Sequence, residues 1–157
     1  HYYILTTYDF AFLTSTQRAV YQLTNYKGHV SSGILHAASF EDGLAVIRIL
    51  KPNNDTMRVV NISSYVPKIG EPIMTLGYFH QIINSMSMGL ISAYEYNETD
   101  MMFFLSDAPT NVYALGAGVF NLAGDLIGIQ AHFNEEDMTH QIISSKVIQS
   151  FLITYKI

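Results

Sequence analysis

The chain has 157 residues, of which 49% are hydrophobic and only 13% charged, with a formal net charge of −5. That suffices for one domain with its own core and is too apolar for a disordered segment. With 8 Lys and Arg in all and no cluster of them, composition argues against a nucleic-acid surface.

Strands are expected where short β-branched and aromatic runs lie between turn residues. In chain order these are Tyr2–Thr7, Arg18–Thr24, Gly33–Ala38, Leu44–Leu50, Met57–Ile62, Pro72–Phe79, Met86–Tyr96, Met101–Leu105, Gly118–Asn121, Leu126–Phe133 and Gln141–Ile143. Punctuation falls at Asn25–Gly28, Pro52–Asp55, Lys68–Glu71, Asn97–Asp100 and Ala123–Asp125. Near the end, Ser145–Tyr155 has a helical pattern, with Val147, Phe151 and Leu152 on one face and Ser144 or Ser145 as cap. Many short strands and one terminal helix point to an all-β, closed or nearly closed barrel architecture. No apolar run reaches the roughly 20 residues of a membrane-spanning helix. The N-terminus lacks the basic start and small-residue cleavage site of a signal peptide. It opens inside a strand, so the chain is expected to be a piece of a longer one. The absence of cysteine favours a reducing compartment. Sequons at Asn54, Asn61 and Asn97 would matter only on a secretory route.

Five segments, in order, resemble trypsin-like serine proteases, most closely the cysteine-free HtrA/Deg type. ILTTYDF (Ile4–Phe10) is similar to the strand and turn that carry the catalytic His. GLAVIRI (Gly43–Ile49) is similar to the strand that begins at the catalytic Asp. IGEPIMTLGYF and SMSMGLIS, within Ile69–Ala93, match two strands of the second barrel. DAPTNVYALGAGVFNLAGDLIGI (Asp107–Ile129) is similar to the segment bearing the nucleophile, and QIISSKVIQSFL (Gln141–Leu152) to the final strand and helix. The resemblance implies a chymotrypsin-like double β-barrel, lacking its first strands here, within a single domain over residues 1–157. It also implies an active site between the barrels.

At the positions that should do chemistry the residues are wrong. A serine protease needs a hydroxyl nucleophile, an imidazole base and a carboxylate that orients it. The resemblance puts Asp9 at the His position, Gly43 at the Asp position and Leu115 at the Ser position. A slip of one residue recovers only Asp42. No Ser or Cys lies between Ser106 and Ser144, and the first 28 residues hold no His but His1. The oxyanion hole wants a flexible Gly two residues before the nucleophile, and Tyr113 stands there. Loss of nucleophile or base alone costs about 10⁶-fold in a triad enzyme, so no catalytic residue is assigned.

Other constellations are weaker. The six histidines have no metal-ligand spacing, and His132 with Glu135, Glu136, Asp137 and His140 reads as a solvated hairpin rather than a metal site. Nucleotide motifs are absent, and no cofactor is expected. Met86, Met88, Met101 and Met102 are expected to fill core gaps rather than line a groove. Tyr2, Tyr3, Tyr8, Phe10 and Phe12 are expected to pack the barrel, with Tyr8 a candidate plug for the old cleft. The expected function is a pseudoprotease that binds a protein or peptide at a barrel edge or at the vestigial cleft, or that serves as a structural half beside an active copy. The alternatives are a peptidase recruiting Asp9, Asp42 or Thr110, and an unrelated ligand-binding β-barrel.

Overall fold

A computed structural model describes residues 1–13, 20–50, 59–79, 82–96, 101–134 and 139–157. They divide into two compact units, His1–Val59 and Val60–Ile157.

The first unit contains β1 (Tyr3–Thr7), α1 (Tyr8–Leu13), β2 (Val20–Thr24), β3 (Val30–Ser39) and β4 (Leu44–Ile49). The strands form an antiparallel sheet in the order β1-β4-β3-β2. β4 reads LAVIRI because it is central: Leu44, Ala45, Val46 and Ile47 are consecutive and all buried, so both of its faces are covered. β2 and β3 make a hairpin whose turn is closed by Asn25. Its side-chain oxygen accepts from the N–H groups of Lys27 and His29, both at 2.9 Å. Gly28 in that turn takes φ +82°, which favours a residue without Cβ.

α1 was not expected. YDFAFL is apolar at every position but Asp9 and too short to display a helical period. Tertiary contacts hold it: Ala11 is fully buried, and the Tyr21 hydroxyl donates to the Ala11 carbonyl at 2.7 Å. The N-terminal aromatics do not all pack the core as expected. Phe10 and Phe12 are 47% and 43% exposed, because α1 turns only one narrow face inward.

The second unit contains β5 (Pro72–Phe79), β6 (Ile82–Tyr96), β7 (Met101–Ser106), a 3-10 turn (Val112–Ala114), β8 (Gly118–Phe120), β9 (Leu126–Asn134), β10 (Thr139–Ser144) and α2 (Ser145–Thr154). Its six strands close into a barrel in the order β10-β7-β6-β5-β8-β9. Ile73, Ile91, Phe104, Ala108, Val119, Ile127 and Ile142 fill the interior, with Tyr94 packed against them. α2 packs on β9 and β10. The Ser144 hydroxyl caps it by accepting from the Val147 N–H, and Val147, Ile148 and Phe151 form its buried face. The expected all-β fold with a short C-terminal helix is therefore present, with one barrel closed and the first unit an open four-stranded sheet. No helix among the described residues is long and apolar enough to cross a membrane.

Three expectations are corrected in this unit. Within the expected strand Met57–Ile62, Met57 and Arg58 lie outside the described residues, and Val59–Asn61 is not strand. The segment is held instead by two bonds to one residue: Leu126 N–H donates to the Asn61 carbonyl at 2.8 Å, and Ser63 N–H to the Leu126 carbonyl at 2.9 Å. Met86 and Met88 do not fill core gaps; they are 55% and 51% exposed. The less exposed set on β6 is Ser85, Ser87 and Gly89, and at Gly89 the chain at Ala108 passes too close for any side chain. A Cβ on Gly89 would lie 2.4 Å from the Ala108 backbone. The side chains of Met101 and Met102 lie outside the described set. His140 is not solvated: it is buried and stacked on Phe133, with ring centroids 5.0 Å apart. Glu135, Glu136 and Asp137 lie outside the described residues, as do the sequons at Asn54 and Asn97.

Candidate functional site

In the first unit, the His and Asp positions of the resemblance sit side by side. β1 delivers the chain into α1, so Asp9 falls in the first turn of that helix. The turn Phe40–Gly43 delivers β4. The two segments are tied by the Tyr8 N–H, which donates to the Gly43 carbonyl at 2.8 Å. Gly43 has φ +67° and closes its turn by donating to the Phe40 carbonyl at 3.2 Å. A left-handed residue is needed there, so glycine at the acid position is also what the local backbone favours. Asp42 N–H donates to the Ser39 hydroxyl at 3.1 Å. Asp9 and Asp42 thus belong to adjoining segments, with no imidazole on either one.

In the second unit, Tyr113 and Leu115 lie in the loop that precedes β8. Asn111 organises this loop. Its side-chain oxygen accepts from the Tyr113 N–H at 3.0 Å, and its carbonyl accepts from the Ala114 N–H at 3.0 Å. Gly116 N–H donates to the Gln130 carbonyl at 2.8 Å, and Ala117 N–H to the Ala114 carbonyl at 2.9 Å. Four of the five N–H groups from Tyr113 to Ala117 are therefore directed at acceptors within the fold. An oxyanion hole needs two converging N–H groups with no internal acceptor; the Tyr113 one is already spent. Tyr113 does not adopt positive φ, whereas Gly116 does, at +84°. Residues 113–118 and Leu76–Tyr78 border an open cleft of about 310 Å³. Tyr113 projects there with 59% of its surface exposed.

The Thr110 hydroxyl donates to Gln130 Oε1 at 3.1 Å, so its proton is directed at an amide oxygen rather than at a base. Gln130 is 1% exposed and its Nε2 has no hydrogen-bond partner. Asn111 and Gln130 escaped the sequence reading. Asn111 carried a usable signal, since Asn before a short turn often caps the N–H two residues on; Gln130 carried none. Among the described residues no group of His, Cys, Asp and Glu is arranged to hold a metal ion.

A family model described as the trypsin-like peptidase domain matches residues 1–129. Among solved structures, the chain is similar to an HtrA-type protease, AlgW, solved with a decapeptide. The TM-score is 0.80 and the identity 20%, over 98% of this chain and 48% of that one. It is also similar to a serine endoprotease from Yersinia pestis, with TM-score 0.79 and 21% identity, over 98% of this chain and 53% of the other. The chain spans about half the length of either structure. Comparison with curated proteins gives no match. An unrelated ligand-binding barrel is overturned by the family match and by a barrel interior already filled with side chains. On the match across residues 1–129, the chain belongs to the trypsin-like peptidase domain family.

Proposed function

We propose that residues 1–157 form one trypsin-fold domain without peptidase chemistry, whose role is to bind a protein or an extended peptide. The observation that carries this reading is the loop before β8. Leu115 occupies the nucleophile position, and the Tyr113 N–H is held by Asn111 at 3.0 Å instead of facing a cleft. Asp9 and Gly43 at the other two positions complete the loss. Two features support binding. β1 and β2 are the outer strands of the first unit's sheet, and an outer strand offers main-chain groups to an added peptide strand. A structural relative was solved with a decapeptide.

The test is a fluorophosphonate probe together with a casein assay. Neither labelling nor turnover is expected. Turnover abolished by a substitution at Asp9, Asp42 or Thr110 would establish a peptidase with non-standard residues and overturn this reading.

A further inference from the structure

At the junction of α1 with the turn before β4, aromatic rings and carboxylates alternate on the surface. Tyr8 stacks on Phe12, with centroids 4.3 Å apart and planes 17° apart. The edge of one ring meets the face of the other between Tyr8 and Phe40, at 5.4 Å and 77°. Phe40 is 78% exposed, although a phenyl group gains from burial. The Tyr8 N–H bond to the Gly43 carbonyl fixes the two segments against each other, so the rings form a standing ledge.

The two segments that carry these rings have charge of one sign. Asp9 lies between Tyr8 and Phe10, and Glu41 and Asp42 follow Phe40; segments 8–12 and 39–43 contain no Lys, Arg or His. This is local, since the first unit has Arg18, Lys27, Arg48, Lys51 and Arg58 against Asp9, Glu41, Asp42 and Asp55. Exposed ring faces carry negative quadrupole potential, and carboxylates beside them reinforce it. An apolar partner would leave the three carboxylates uncompensated, and an acidic one would be repelled.

We infer that the Tyr8–Phe12–Phe40 ledge with Asp9, Glu41 and Asp42 receives a cationic side chain of the bound partner, arginine in preference to lysine. A guanidinium can lie flat on a ring while its N–H fork reaches a carboxylate, which a point-charge ammonium cannot do as well. This rests on the peptide-binding reading above and adds the chemistry of the recognised residue.

The experiment is an NMR titration of the whole chain with capped Gly-Gly-Arg-Gly-Gly and with its citrulline counterpart, which has the same shape without the charge. Saturable shifts are expected for the Tyr8 and Phe40 rings and the Gly43 amide with the arginine peptide, and none with citrulline. Phe40→Leu, which keeps an apolar side chain but removes the ring, should weaken binding about fivefold, in line with one exposed cation–π contact. Asp9→Asn with Asp42→Asn should weaken it further and flatten its salt dependence. Both variants change surface groups and should fold. Equal response to citrulline, or wild-type affinity in Phe40→Leu, would overturn the inference. So would shifts confined to residues 60–157, an outcome that leaves peptide binding itself standing.

Discussion

The two units of this chain deal with strand edges in different ways. The second closes six strands into a barrel, and every ladder finds a partner. The first lays four strands in an open sheet, with β1 and β2 at its margins. Both have places where neighbouring groups approach too closely for a side chain, Gly33 in the sheet and Gly128 in the barrel. Gly128 shows this, because a Cβ there would lie 2.5 Å from Ile142 Cγ2 and 2.6 Å from the Ile143 carbonyl oxygen. The margin of the sheet is less enclosed: Val20 on β2 is 64% exposed. The outer strand of the sheet thus leaves main-chain groups open to a partner, and its exposed side chains should matter less to stability than buried ones.

The largest expected effect tests that division. Phe104 is fully buried at the centre of the barrel core. Phe104→Ala should cost about 3–5 kcal/mol, through lost burial and the cavity left behind. Val20→Ala on the outer strand of the sheet should stay within about 0.5 kcal/mol. Urea unfolding of both variants measures the contrast. Equal losses would mean that the sheet margin is as tightly packed as the barrel.

The next effect tests the proposed loss of chemistry at the positions that the resemblance assigns to catalysis. Asp9→His, Gly43→Asp and Leu115→Ser together replace the triad side chains but leave the Tyr113 N–H on Asn111. Adding Asn111→Ala and Tyr113→Gly releases that donor and gives the position a residue free to adopt positive φ. The five-fold variant should acylate an activated ester about 10²–10³ times faster than the triple variant, the size of one oxyanion donor. Equal rates would place the block elsewhere than in the loop before β8. Leu115→Ser alone should remain silent, since the resemblance assigns no imidazole to the base position.

What could be read from the sequence follows the same division. Pro72–Phe79 is a strand over the bounds its β-branched and aromatic pattern indicates, and α2 ends one residue short of its expected end. These elements have strong local signals. The family itself was legible in ordered motifs such as GLAVIRI and IGEPIMTLGYF, and the match across residues 1–129 bears it out, whereas the assignment of Asp9, Gly43 and Leu115 to the catalytic positions rests on the resemblance alone. The failures lie where neighbours decide. Alternation along β6 marks two faces but not which one is interior, so Met86 and Met88 were assigned to the wrong one. The opposite face carries Ser85, Ser87 and Gly89, and the reason for the glycine lies at Ala108, invisible in the strand itself. α1 depends on a hydroxyl from β2, and the commitment of the Tyr113 N–H on a side chain two residues away.

The smallest effect belongs to the segment leading into β5. The Tyr65 hydroxyl donates to Glu71 Oε2 at 3.1 Å, and the Lys68 N–H donates to the same oxygen at 2.8 Å. Partial desolvation raises the Tyr65 pKa above its usual value, followed by the hydrogen bond to Glu71, that carboxylate's charge, and Tyr94. A folded value above the unfolded one means that the neutral phenol is favoured in the fold. Its stabilising contribution is complete below the unfolded pKa and is lost as pH rises through the folded one. In a chain labelled at tyrosine Cζ, Tyr65 should therefore titrate above an unstructured tyrosine, with the signal assigned by its loss in Tyr65→Phe. Glu71→Gln should lower that midpoint without returning it to the unstructured value, because the desolvation stays. A midpoint unmoved by Glu71→Gln would show that the carboxylate contributes nothing in solution, and would leave partial desolvation and Tyr94 to set this titration.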